Sequence, residues 1–396
     1  MTVLRPVTAE ELPRYVAAVS AAFRSAPTPP DVLEARAAAI GTSRNLGAFD
    51  GDELVGTAGV EPVPLSVPGG SVPAAAIGGV TVRPTHRRRG IMHGMMRRLV
   101  DEAHELGEPV AILFASEGAI YGRYGFGVAT YEAEVRIARH RSAFRAPVAA
   151  TGLRLVPWAD AVGPMREIAE RVCAAVPGAV RRVDAWWRHQ ISGPPPHGAP
   201  WEAVLRPEGD GFVAYERRLD FTLPTLEGGS LQVNWLFAET PEAYAALWRY
   251  CLDVDLMDEV RAQWRPVDDP VRHLLADPRA LETTVWDGLW LRLVDVEAGL
   301  AARAYAPGAP VLLRVLDDLC PWNTGVYEVG AGGCRRTAGE PDLVLAADAL
   351  GACYLGGNRF TTLARAGRVE ERAPGAVARA DALFAAAPEP WCPLHF

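Results

Sequence analysis

The sequence predicts a mixed α/β protein of the α+β kind, built from tandem domains. Three observations carry this. At 396 residues the chain exceeds the usual size of one domain. Its first third runs helix, helix, strands, then a strand–loop–helix–strand unit. A similar order returns, more weakly, after about residue 134. The expected division is therefore 1–133, 134–286 and 287–396.

In the first block, Thr8-Ala9-Glu10-Glu11 has the capping-box pattern, and Leu12, Tyr15, Val16, Val19 and Phe23 follow at helical spacing. Asp31 is a candidate cap for a second helix running to Ile40. Strand-like runs follow at 46–49, 54–60 and 74–82, separated by the turns Asp50-Gly51-Asp52 and Pro68-Gly69-Gly70. A helix pattern fills 90–106 and stops at Gly107, and an apolar strand over 110–115 comes next.

The second block offers a helix over 161–175, then a hairpin of 203–206 and 212–217 around Glu208-Gly209-Asp210-Gly211. A strand over 231–237 leads to a helix starting near Thr240. In the third block, 289–294 and 311–316 read as strands, 330–333 as a Gly-rich turn, and 346–351 and 376–386 as helices. Gly193–Pro200 is the one Pro-rich linker.

Composition excludes several classes. Hydrophobic residues make up 49% and charged residues 22%, the balance of a folded globular chain. A net charge of −8 argues against general affinity for nucleic acid or anionic membrane. All 40 basic residues are Arg. The six cysteines are scattered and form no CxxC pair, so neither a disulfide framework nor a metal site is expected. The start lacks a basic and then apolar leader, and no apolar run reaches the ~20 residues that span a bilayer. The expected location is the cytoplasm.

The chemistry concentrates between Val80 and Thr130. A strand containing Val80 and Val82 is stopped by Pro84, passes through His86-Arg87-Arg88-Arg89, and enters a helix at Gly90-Ile91-Met92. The free N–H groups and dipole at such a helix start form an anion site. Gly90 allows close approach of a diphosphate, and Arg87, Arg88 and Arg89 add charge. Downstream, Ser116-Glu117-Gly118-Ala119-Ile120-Tyr121-Gly122-Arg123 places a phenol just after a strand. The loop expected at the corresponding place in the second block, Ala238-Glu239-Thr240-Pro241-Glu242, has no glycine or Arg and carries acid. That pattern suits a duplicated fold without the phosphate site.

Arg87-Arg88-Arg89-Gly90-Ile91 resembles the coenzyme A loop of the GNAT acetyltransferases, Arg/Gln-x-x-Gly-x-Gly/Ala, with Met92 where the small residue normally stands. Together with the SEG-x-IYGR-x-G-x-G run and a chain ending in Phe396, it resembles the enhanced-intracellular-survival (Eis) family of aminoglycoside N-acetyltransferases. The resemblance implies two GNAT-like domains in tandem, a sterol-carrier-protein-like domain and a homo-hexamer. It implies acetyl-coenzyme A as co-substrate, held by Val80, Val82 and Arg87 to Met92, with no metal. It also implies Tyr121 as general acid and the α-carboxylate of Phe396 as general base. The acceptor would be a small-molecule amine meeting Phe23, Ser25 and His395. Members that modify aminoglycosides line this region with acids; here it carries Arg24, Ser25 and His395. The alternative is a non-catalytic protein that senses coenzyme A or binds a lipid through its third block.

Overall fold

The computed structural model describes residues 2–23, 44–182, 186–187, 201–219 and 228–396. The expected helix at 31–40 and the linker at 193–200 lie outside them. Contacts divide the chain into two compact units. The first comprises 1–130, 289–386 and 395–396; the second comprises 131–288 and 387–394.

The first unit opens with β1 (Val3–Pro6), β2 (Asn45–Asp50), β3 (Glu53–Val67), β4 (Gly70–Val82), β5 (Val110–Phe114) and β6 (Gly127–Val128). Its helices are α1 (Leu12–Ala22), α2 (Ile91–Glu105) and the short α3 (Gly118–Tyr121). The cap before α1 forms as its pattern predicts, with Glu11 Oε2 accepting from the Thr8 N–H at 2.9 Å. Helix α2 buries Ile91, Met95, Met96, Leu99, Val100 and Ala103. They join a core with Val55, Ala75, Ile77 and Leu113. Gly107, at φ +70°, ends the helix because a left-handed residue there costs glycine little.

The second unit contributes β7 (Tyr131–Ala138), β8 (Arg154–Val156), β9 (Glu202–Leu205), β10 (Gly211–Arg218), β11 (Ser230–Ala238), β12 (Glu259–Arg265) and β13 (Leu281–Asp287). Helices α4 (Trp158–Ala174) and α5 (Pro241–Asp253) cover this sheet. Trp186 and Trp187 pack against Trp235, as core aromatics do. The strand β14 (Leu289–Leu293) returns to the first unit.

Among the described residues, both large sheets have seven strands, in the orders β1-β2-β3-β4-β5-β14-β6 and β8-β9-β10-β11-β12-β7-β13. Each has one parallel pair at its centre, β4 with β5 and β11 with β12. The sixth place in each sheet is filled out of sequence. In the first it goes to β14, from far downstream; in the second it goes to β7, which precedes every other strand of that sheet. The expected break at 133/134 therefore falls inside β7, which pairs with β13 from Tyr131 to Ile137.

The third block adds β15 (Val311–Leu316), β16 (Gly325–Gly330), β17 (Gly333–Thr337), β18 (Leu343–Ala346) and β19 (Val369–Glu371), in the order β17-β16-β15-β18-β19. It does not separate from the first: both lie in one unit. Helix α6 (Ala347–Cys353) lies against β14 and β6. A Cβ on Gly127 would sit 1.9 Å from the Asp348 carbonyl oxygen, and one on Gly351 2.1 Å from that of Leu291, so both contacts require glycine. The fully buried Arg292 of β14 bonds the Tyr124 carbonyl and pairs with Asp317, a charge that burial without a partner would make costly.

Candidate functional site

After β4 the chain makes a single turn at Pro84–His86 and then exposes Arg87, Arg88, Arg89 and Gly90. Arg89 Nη2 donates to the Thr85 carbonyl at 3.0 Å, and His86 Nδ1 lies 2.8 Å from Thr85 Oγ1, so the turn is braced by its own residues. Gly90 has φ +77°, and a Cβ there would meet nothing within 4 Å. The glycine is thus needed for its backbone conformation and leaves open space at the helix start. Among the described residues, no side chain caps α2. The first N–H groups of a helix have no partner within it, so this terminus presents donors and positive dipole to an anion. Met92 is half-buried and packs against the core cluster, so the large residue at the atypical position turns its side chain inward.

Beside this terminus the sheet opens. Strand β4 pairs with β5 only over Ala74–Ala76 and Val110–Ile112. Beyond that point Leu113 and Phe114 pair with Trp290 and Leu289 of β14. Among the described residues, the far half of β4, including Val80 and Val82, keeps β3 on one side only. Its register there is shifted between Thr57 and Gly59, and the buried Thr57 hydroxyl stands 2.7 Å from both the Gly79 carbonyl and Thr81 Oγ1. An unpaired strand edge of this kind offers backbone groups to an extended amide-bearing ligand.

At the end of β5 the chain terminus arrives. The His395 ring stacks on Phe114 at 3.9 Å and 20°, and the Phe396 ring lies 5.0 Å away at 51°. On α3, just downstream, the buried Tyr121 ring neighbours Phe126 at 6.4 Å and Trp290 at 6.5 Å. Burial raises the Tyr121 pKa above the ordinary phenol value, and the charges of Glu117 and Tyr124 act in the same direction. The phenol therefore keeps its proton at neutral pH. Phe23 stands 51% exposed at the end of α1 and takes part in no ring contact among the described residues. Ser25 and Arg24 lie outside those residues. Sequence reasoning did not single out Phe114, Trp290 or Thr57. Phe114 closes an ordinary apolar strand, and Trp290 reaches the site only through the out-of-order β14.

In the second unit the matching positions are occupied. Thr240 Oγ1 accepts from the Ala243 N–H at 3.1 Å and donates to Asp210 at 2.9 Å, capping α5. Glu239 pairs with Arg171 at 2.7 Å. Strands β11 and β12 pair from Ser230 to Val233. Past that point Arg265 Nη1 donates to the Leu236 carbonyl at 2.9 Å, and Nε donates to Asp269 at 2.6 Å. Trp391 donates its main-chain N–H to Pro177 and its indole N–H to Trp264, and lies 6.1 Å from Phe237. Trp391 through Leu394 are buried, as their apolar character suggests.

Among the described residues, no cluster of His, Cys, Asp or Glu could hold a metal ion. No helix among them is long and apolar enough to cross a membrane.

Comparison with known proteins gives three domains in succession along the chain. Residues 3–129 and 178–293 match acetyltransferase (GNAT) domains, and residues 296–393 match a sterol carrier protein domain. The chain is 37% identical to the N-acetyltransferase Eis of Mycobacterium tuberculosis, covering 86% of this chain and 85% of that one. It is 39% identical to a Streptomyces avermitilis protein described as an uncharacterized N-acetyltransferase, covering 89% of each. The crystal structure of Eis1 from Mycobacterium abscessus superposes with a TM-score of 0.90 at 38% identity, over the full length of both chains. The uncapped helix terminus, the opened sheet and the buried phenol thus belong to an acetyl-transferring enzyme: the chain is a GNAT N-acetyltransferase of the Eis family.

Proposed function

We propose that the protein transfers the acetyl group of acetyl-coenzyme A to a primary amine of a small molecule, at a single site in the first GNAT domain. The observation that carries this is the uncapped start of α2 beside the one-sided stretch of β4. The N–H groups that open α2, with Arg87 to Arg89, bind the diphosphate. The backbone of β4 around Val80 and Val82 holds the extended pantetheine arm. Tyr121, kept neutral by burial, gives its proton to the departing thiolate. The α-carboxylate of Phe396, directly or through a water, takes the proton that the acceptor ammonium must lose before it attacks. The second domain, with its cap satisfied by Thr240 and its strand edge met by Arg265, binds no coenzyme.

The acceptor is read from what surrounds the end of β5. Phe114, Tyr121, His395 and Phe396 are aromatic, and in sequence Arg24 and Ser25 replace the acids that the family resemblance leads one to expect for a polycation. These residues suit an amine with an apolar or aromatic body and one positive charge better than an aminoglycoside. A homo-hexamer in the cytoplasm, as the family resemblance implies, completes the proposal; light scattering on the untagged protein checks the assembly.

The test is release of coenzyme A thiol by protein with a native C-terminus, using hexylamine, 2-phenylethylamine and neomycin. The expected result is turnover with the two monoamines exceeding that with neomycin. Tyr121→Phe should lower kcat about 10²-fold or more while acetyl-coenzyme A still binds. Absence of thiol release with every amine, or an unchanged kcat in Tyr121→Phe, would overturn the assignment.

A further inference from the structure

A chain terminus is an awkward place for a catalytic group. Terminal residues fray unless tied down. The α-carboxylate also sits on the main chain, so no side-chain rotamer of its own can aim it. Its position must come from how the side chains of the last residues are held. Both sit against one ring: Phe114 carries His395 nearly parallel at 3.9 Å and Phe396 tilted at 5.0 Å. The differing planes, 20° and 51°, hold the two residues in two orientations, which restricts the chain end more than a single stack would.

Phe114 is itself well anchored. It is the last residue of β5, and its backbone is fixed by pairing with Leu289 of β14. Its side chain is only half-buried, unlike those of Val110 to Leu113. It is therefore less a core residue than a platform. The short segment from Phe114 to Tyr121 carries both the platform for the terminus and the phenol, so one piece of chain sets the spacing of the acid–base pair.

We infer that Phe114 is a positioning residue for the reaction, fixing the terminal carboxylate by stacking with His395 and Phe396. This rests on the reading above that the Phe396 carboxylate serves as base. Among the ring contacts of the described residues, Phe114 meets only His395 and Phe396, so loss of the platform should leave cofactor binding intact.

The experiment is a double-mutant cycle between Phe114→Ala and a Gly-Gly extension after Phe396, which moves the carboxylate by up to about 7 Å. Phe114→Leu serves as a second variant that keeps apolar volume without a ring, and Phe114→Tyr as the rescue. The readouts are kcat with whichever of hexylamine, 2-phenylethylamine and neomycin is turned over fastest, and calorimetric Kd for acetyl-coenzyme A. Phe114→Ala and Phe114→Leu should each lower kcat by at least about tenfold, as small misplacements of catalytic groups do, with Kd within about twofold of the parent. Phe114→Tyr should restore most of the rate, and adding Phe114→Ala to the extended chain should cost little more. If the extension lowers kcat and the Phe114 variants do not, or if the two losses multiply, the platform role is overturned while the base assignment stands. An extension that leaves kcat unchanged overturns the base assignment, and the platform role with it.

Discussion

The starts of α2 and α5 occupy the same place in two copies of one fold, each following the fourth strand of its sheet, yet their chemistry is opposite. Before α2 the chain supplies three Arg, a left-handed Gly90 and no cap. Before α5 it supplies Glu239, a Thr240 that bonds the Ala243 N–H, and Pro241 in the first turn. The sheets differ in the same sense. Beyond its parallel stretch β4 pairs, among the described residues, with β3 alone, whereas Leu236 of β11 accepts a bond from Arg265. On the proposed reading, a GNAT fold is closed to its ligand by the chain's own donors and acceptors, with the backbone topology unchanged. A helix terminus is a binding site only where the protein leaves its donors unmet.

The comparison can be broken most forcefully at the closing residue. Arg265 and Asp269 are both buried, and Arg265→Ala would strand the carboxylate; a loss of about 3–5 kcal/mol in denaturant unfolding is expected. A loss below about 1 kcal/mol would mean the pair does not hold the closed edge. Next in size is conversion of the open terminus into the closed one. Arg88→Glu, Arg89→Glu and Gly90→Thr together should weaken acetyl-coenzyme A at least about hundredfold, since charge-assisted contacts to the diphosphate are replaced by repulsion. The converse graft, Glu239→Arg with Thr240→Gly, should create no binding, because Arg265 and Trp391 remain in place; equilibrium dialysis checks this. Removing the cap alone by Thr240→Ala should cost about 1 kcal/mol in the same unfolding assay. The smallest effect concerns pH. A raised Tyr121 pKa keeps the acid protonated below it, so kcat should show no alkaline fall until pH exceeds about 10. A fall centred near pH 8 would assign the proton to another group.

How much of this the sequence shows depends on how local each feature is. The strand, Arg turn and helix are contiguous, so the loop and the helix limits at Gly90 and Gly107 are readable from residue types alone. Tyr121 is visible because the family motif around it follows directly on an apolar strand. The exchange of β7 and β14 is not visible, since an apolar strand of alternating pattern does not record which sheet it joins. The expected break at 133/134 consequently cuts a continuous strand. Nor does local pattern show that Arg292 from β14 meets Tyr124 and Asp317, which ties the third block into the unit of the first. The apolar end of the chain announces burial but not its partners. Trp391 settles on Phe237 and the last two rings on Phe114, contacts joining residues far apart in sequence.

The most direct test is the stoichiometry of acetyl-coenzyme A in calorimetric titration of the untagged chain. One molecule per chain is expected, lost in the Arg88, Arg89 and Gly90 triple variant and unaffected by Glu239→Arg with Thr240→Gly. Two molecules per chain, or binding that survives the triple variant, would contradict the assignment of a single open terminus.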